Sequence, residues 1–360
     1  MAKSAGGAPI TDGSGLDGRV SGATLAAVRR SVGLEQAVLA ERLGVSEKTV
    51  AAWEQARNPL PRLPYARLRQ IGRTLLAAGA APALVATWET ALAADDILAG
   101  LDQRDPERHP LGLVVPDRAV TDLLAWPLTG AVPRALAGTT AALHIPAGQR
   151  ATVAAELRAL AESAPESLAG AMLRRQAVFL AAEADVASSA GTGWAGEQIR
   201  RQIADVDLSR WTPEWAVVRS AAIRAAGAGD PEPLRRFAAE GLADPSTEAA
   251  NLRYWAYWAG EVPVPWVSDA QMAQPESDAT WSGELLLPSL LSGLGTAPDR
   301  ELRAHTLFSL ARARKSLVTH PRWVSEISDT VERATTDETL SRTARKRLEQ
   351  VHHFLIGSTL

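Results

Sequence analysis

Several kinds of residue and pattern are absent from this chain of 360 residues. It has no cysteine, which excludes disulfides, thiolate metal ligands and a cysteine nucleophile, and fits a protein of a reducing intracellular compartment. The uncharged stretch 74–88 has only 15 residues and contains Pro82, so it is too short to span a bilayer. No hydrophobic signal region follows the N-terminus. We therefore expect a cytoplasmic protein without membrane contact.

Patterns typical of catalytic and metal sites are missing too. The six histidines lack the spacing of a metal-binding helix, and the Gly-Thr-Gly at 191–193 lacks the preceding strand and further glycines of a phosphate-binding loop. A serine-nucleophile elbow is not found either. We expect no catalytic residues, no metal and no cofactor, and therefore no enzyme.

Helical periodicity is what the sequence does contain. Apolar residues recur three and four positions apart, as in Leu173, Ala177 and Leu180, whereas alternating strand patterns are nearly absent. Several helix starts are marked by an N-cap followed by proline, at Thr212-Pro213, Asp230-Pro231 and Asp244-Pro245. The pattern predicts an all-α fold in which short helices form hairpins that stack in a solenoid-like way.

Residues 33–57 form the most specific pattern in the chain, two short amphipathic helices joined at Gly44. Gly44 suits a turn with positive φ, and Ser46 suits the N-cap of the second helix. Apolar residues on both helices can close on one small core, namely Leu39, Ala40, Leu43, Val45, Val50 and Trp53. The polar and small residues between them then face outward, so the second helix can enter a DNA major groove.

The pattern resembles the phage-repressor-like (Xre-type) helix-turn-helix family over about residues 20–77. The resemblance rests on Gln36, Leu39, Ala40, Leu43, Gly44, Val45, Ser46, Thr49, Val50, Trp53, Glu54 and Arg57. It implies a recognition helix at about 46–56 whose base-reading positions are Glu47, Lys48 and Ala52. It also implies that Gln36, Thr49 and Arg57 bind phosphates, and Ser46 completes the expected DNA-binding set.

Two further expectations follow from the same resemblance. In relatives an arginine of the first helix pairs with the glutamate near the end of the recognition helix, and Arg29 and Glu54 have that spacing. The family usually has glycine where this chain has Ala56, so we expect the following turn to be displaced toward Asn58-Pro59.

Charge and length give the domain organisation. Residues 1–80 carry 11 basic and 6 acidic side chains, while residues 81–360 carry 27 and 35, so the basic excess lies with the motif. We predict a disordered arm at 1–20, a helix-turn-helix domain at 21–80, a connecting helix and linker at 81–117, and a helical dimerisation or sensing domain at 118–360. Only 4 of the 38 basic residues are lysine, and alanine, glycine, proline and arginine are abundant, which suggests an actinobacterial origin.

The second domain is rich in aromatic residues between 211 and 281, where six of the 11 tryptophans lie. The run 251–261 resembles a stretch of the C-terminal regions of actinobacterial Xre-type regulators. Its aromatic residues point to more than one side of a helix, which favours a helix buried on several faces. The alternative is an effector pocket or partner groove, lined by Arg253, Tyr254, Trp255, Tyr257 and Trp258.

Three functions are consistent with these features. We favour a sequence-specific transcriptional regulator, nucleoid-associated, that binds an inverted-repeat operator in double-stranded DNA as a homodimer. A second hypothesis couples DNA binding to a helical-repeat receptor for a peptide or small-molecule effector. A third is an antitoxin-like interaction scaffold, in which DNA binding is secondary to sequestering another protein.

Overall fold

Helices make up nearly all of the regular structure in the computed structural model, which describes residues 15–103, 105, 107–188, 193–203, 206–275 and 281–356. In chain order they are α1 Arg19–Ser31, α2 Gln36–Leu43, α3 Glu47–Glu54, α4 Tyr65–Ala77, α5 Pro82–Ala99, α6 Pro110–Leu113, α7 Arg118–Thr129, α8 Ala147–Ser163, α9 Leu168–Ser188, α10 Gly193–Ile203, α11 Pro213–Gly227, α12 Glu232–Arg236, α13 Pro245–Trp258, α14 Leu286–Leu294, α15 Arg300–Ala313, α16 Lys315–Val318, α17 Pro321–Thr335 and α18 Arg342–Ile356. A π-helical turn follows α12 at Phe237–Gly241. The all-α class is thus confirmed, and within these ranges one isolated bridge between Val115 and Trp266 is the only extended pairing.

The chain divides into two compact units. The first runs to Asp105 and includes Val120–Leu157, and the second consists of Pro106–Ala119 and Arg158–Leu360. In neither unit, over the ranges given above, does a helix combine the length and apolar character needed to cross a bilayer. The predicted domain boundaries remain a prediction, and most of the predicted arm, residues 1–14, lies outside the described residues.

The first unit is built around the core that the motif predicts. Apolar residues of α1 to α5 form one buried cluster, which includes Leu25, Leu39, Leu43, Val50, Trp53, Ile71, Leu75 and Trp88. The residues assigned from sequence to a connecting helix form α5, which packs against α1. This unit therefore contains five consecutive helices in which α5 supports α1.

The N-terminus of α1 is capped by a residue of α5. Gly18 at the N-cap offers no side chain, and its φ of 74° is a conformation that favours glycine. The Asp95 carboxylate accepts from the backbone N–H groups of Val20, at 3.0 Å, and Ser21, at 2.8 Å. Asp95 thus supplies to α1, across 75 residues of sequence, the acceptor that a local N-cap normally provides.

Hairpins of sequence-adjacent helices form much of the second unit. α10 packs on α11, α14 on α15, and α17 on α18, while α15 also contacts α12, α13 and α16. Two predicted helix starts are confirmed, because Thr212 caps α11 and Asp244 caps α13. The third is displaced by one residue, because the N-cap of α12 is Pro231 and not Asp230.

Candidate nucleic-acid interface

The turn between α2 and α3 has the predicted geometry. Gly44 ends α2 in the left-handed conformation, with φ of 65°. Ser46 then begins α3, since its hydroxyl accepts from the Thr49 backbone N–H at 3.1 Å. The two helices are therefore held in the short, bent hairpin that presents α3 as an outward-facing helix.

The outward face of α3 carries the predicted base-reading residues. Glu47 and Lys48 are exposed, whereas Ala52 is half-buried. Val50 and Trp53, on the opposite side, are buried in the core of the first unit. The first turn of α3 is thus the part whose polar side chains are most open to a partner.

The predicted phosphate-binding residues lie on α3, directly after it and at the start of α2. Thr49 is half-buried and shares a hydrogen bond of 2.8 Å with the hydroxyl of Ser46, which is itself exposed. Arg57 follows α3 and is exposed. Gln36, at the first position of α2, is half-buried because its amide is used within the protein.

A buried ion pair fixes α3 to α1 and α2, and it is the predicted pair. Arg29 Nε lies 2.6 Å from Glu54 Oε1, and Arg29 Nη2 donates to Glu54 Oε2 at 3.0 Å. Gln36 Nε2 donates to the same Oε2 at 2.6 Å, and Arg29 Nη1 donates to the Leu34 carbonyl at 2.6 Å. Because the guanidinium and carboxylate meet side by side, they set both the distance and the orientation of α3.

A glycine permits the close approach of α1 to the end of α3. A Cβ built on Gly22 would lie 2.5 Å from the Trp53 carbonyl oxygen, a distance that would force the helices apart. The sequence reasoning did not identify Gly22, although a glycine inside a helix is the signal that points to such a contact.

The turn after α3 differs from the expectation. Ala56 has φ of 58° and is the single non-glycine residue with positive φ among the described residues. The Asn58 N–H reaches back to the Ala52 carbonyl at 3.2 Å, which closes the end of the helix around Ala56. The expected displacement toward Asn58-Pro59 is therefore wrong, because the fold holds Ala56 itself in the left-handed conformation that favours glycine.

Replacement of Ala56 by glycine is expected to stabilise the first unit by about 1 kcal/mol. An L-residue in the left-handed region costs about 1–2 kcal/mol, and glycine removes this cost. Part of the gain is lost, because glycine also gives the unfolded chain more conformational entropy. Urea unfolding of both proteins measures the difference. Replacement of Ala51, which lies within α3, by glycine is the matched control and is expected to destabilise by about 1 kcal/mol. Equal losses in both variants would contradict the strain at Ala56.

The aromatic run of the second unit lies on α13, and its side chains pack against the protein. The Tyr257 ring stacks on Trp266 with 4.3 Å between ring centroids, and the Tyr257 hydroxyl donates to the Val115 carbonyl. Tyr254, Trp255 and Arg253 are buried, while Trp258 is half-buried. These contacts fit a helix buried on several faces, and an effector pocket at these five residues stays a prediction.

The first unit has the hairpin, the capped outward helix and the basic surface residues of a helix-turn-helix domain, the class of domain that proteins use to bind DNA. Residues 22–98 match the family model described as a helix-turn-helix domain. That match includes Asp95 and all of α5 but its last residue, in agreement with the packing of α5 on α1. Neither the comparison with curated proteins nor that with solved structures gives a match.

Proposed function

We propose that the protein is a sequence-specific transcriptional regulator of the Xre type, in which α3 enters the major groove. The observation that carries the proposal is the exposed first turn of α3, with Glu47 and Lys48, on a helix fixed by the Arg29–Glu54 pair. Lysine donates to guanine acceptors and a carboxylate accepts from cytosine, so these two side chains favour a site containing G·C pairs.

The protein acts as a homodimer in this proposal. α3 has 8 residues, so one copy reads only a few base pairs. Two copies on a two-fold axis supply the remaining affinity and specificity. The chemistry of α3 also leaves part of the specificity to DNA shape, because Lys48 is the one strong donor in the predicted base-reading set.

Selection of genomic fragments by the purified full chain tests the proposal. We expect enrichment of one inverted repeat with half-site centres about 10 base pairs, or one helical turn, apart. Enriched fragments without a shared sequence, or a shared sequence without two-fold symmetry, would count against a specific dimeric regulator.

Replacement of Lys48 by alanine is expected to weaken operator binding by about 1–3 kcal/mol and to relax the preference at one base pair per half-site. Lys346→Ala, an exposed lysine of α18, is the matched control and is expected to leave binding unchanged. Arg57→Ala is expected to weaken binding to all sequences alike. It is also expected to reduce the slope of log affinity against log salt concentration by about one. Fluorescence anisotropy over a series of salt concentrations separates these outcomes, and equal binding by Lys48→Ala and Lys346→Ala would reject α3 as the reading helix.

A further inference from the structure

The second unit contains an open cleft of about 750 Å³, within the range of ligand pockets. Its walls come from the end of α10, from α12, from the π-helical turn, from α15 and from the beginning of α18. It lies apart from α13, so none of the aromatic residues predicted to bind an effector lines it. The polar residues that line it differ strongly in burial. We call the buried ones, Glu301 and His305, the floor and the more exposed ones the rim.

Two buried polar groups form the floor of the cleft. Glu301 is 6% exposed and His305 is 3% exposed, and Glu301 Oε1 lies 3.9 Å from His305 Nε2. Within the described residues Glu301 accepts from the backbone N–H and hydroxyl of Ser341 but forms no ion pair with arginine or lysine. A buried carboxylate without a paired cation is costly, so a positively charged group bound beside Glu301 would be stabilised.

His305 does not supply that positive charge. The buried Nε2 of its ring has no hydrogen-bond partner among the residues described, although buried polar groups normally have one. Burial, with a smaller contribution from the charge of Arg347, lowers the pKa of His305 to about 4. The ring is therefore neutral at pH 7, with one protonated nitrogen that donates and one unprotonated nitrogen that accepts.

The rim adds further negative charge. Its two arginines are already paired, Arg235 with Glu232 at 3.5 Å and Arg236 with Glu240 at 3.1 Å. Asp230 is exposed on the rim and has no arginine or lysine partner in the described part of the chain. Asp230 and Glu301 thus have no arginine or lysine ion-pair partner in the described part of the chain, although the charge of Arg347 reaches His305.

One wall of the cleft has an uncommon backbone. Ala239 and Glu240 line it from the π-helical turn, a conformation that is rare and frequent at functional sites. The turn is held in place because Trp215 Nε1 donates to the Gly241 carbonyl at 3.1 Å. This wall is therefore fixed by a hydrogen bond from another helix.

We propose that this cleft binds a small organic cation, whose ammonium or guanidinium group is held against Glu301 and His305 while Asp230 attracts it at the rim. The combination of a buried carboxylate without an ion-pair partner, a buried imidazole nitrogen beside it without a hydrogen-bond partner, and an open cleft of ligand size carries the assignment. All described residues that line the site belong to the second unit.

Isothermal titration calorimetry of the full chain with agmatine, which carries one amine and one guanidinium group, tests the proposal. We expect saturable binding of agmatine and none of glutarate, its anionic counterpart in size, at equal ionic strength. Glu301→Gln keeps the shape and removes the charge, and it is expected to weaken agmatine binding by about tenfold or more. Glu326→Gln, an exposed glutamate of α17, is the matched control and is expected to bind as the parent does.

Circular dichroism shows whether Glu301→Gln is folded, since Glu301 also bonds to Ser341 ahead of α18. If Glu301→Gln is not folded, the titration is made with Asp230→Asn, which is expected to weaken agmatine binding by about threefold. Absence of binding up to about 10 mM agmatine, equal affinity in the charge-removing and control variants, or equal binding of glutarate would overturn the proposal. The titration contains no DNA, so its failure leaves the proposed regulator function standing.

Discussion

Replacement of Arg29 by alanine is expected to destabilise the first unit by about 3–5 kcal/mol, whereas replacement of the adjacent Arg30 is expected to change its stability by less than about 0.5 kcal/mol. Arg29 is buried, and its loss leaves the carboxylate of Glu54 buried without its cation. Arg30 lies next to it on α1 and is exposed. Hydrogen exchange of peptides from α1 to α4 in the full chain measures both effects, and it also reports whether α3 loosens.

A double variant distinguishes the ion pair from simple packing. If Arg29→Met is combined with Glu54→Leu, no buried charge remains, and we expect most of the lost stability to return. Operator binding should then recover only partly, because two apolar side chains do not set the orientation of α3 as the paired guanidinium and carboxylate do. A loss in Arg29→Ala no larger than in Arg30→Ala would show that the pair does not hold the unit together.

Asp95 is expected to make the stability of the first unit fall by about 3 kcal/mol between pH 5 and pH 8. Burial raises the pKa of Asp95 from 3.8 to about 7, although hydrogen bonds from Ser21 and Val20 act in the opposite direction. Between these two values the folded chain holds a proton that the unfolded chain has lost. The contribution of Asp95 to stability is therefore complete below about pH 4 and is lost as the pH rises through 7.

Asp95→Asn tests this linkage, because the amide does not titrate. Urea unfolding of the full chain at both pH values gives the difference between parent and variant, in which the contributions of all other groups cancel. Asp96→Asn, an exposed neighbour on α5, is expected to keep the pH dependence of the parent. An Asp95→Asn protein with the same pH dependence as the parent would show that this carboxylate titrates near its usual pKa.

Local signals were sufficient to predict the helix-turn-helix hairpin. Gly44 and Ser46 act on their immediate neighbours, so their spacing in sequence gives the turn and the cap that the structure contains. The Arg29–Glu54 pair was predicted through the family resemblance, and the structure confirms it. Which of the outward side chains contact DNA stays a prediction, because exposure alone does not identify a partner.

Features that depend on distant contacts could not be predicted. The cap of α1 by Asp95 joins residues that are 75 positions apart, and an aspartate inside a helix gives no local sign of its partner. The conformation of Ala56 follows from the packing around it, which overrides the preference of alanine. The cleft at Glu301 and His305 brings together side chains whose spacing is ordinary for one helix face, and their significance appears only with the burial and the neighbouring walls.

The remote cap of α1 also constrains how the chain matures on the ribosome. α1 has 13 residues, a length at which an isolated helix is marginal in water. Its acceptor, Asp95, is synthesised only after α2, α3 and α4 have been made. The α2–α3 hairpin can thus form early, but α1, which orients α3 through Arg29, is completed only when the end of α5 has emerged. We therefore expect a nascent chain to complete the predicted DNA-binding face at that point, and not when the motif itself has been translated.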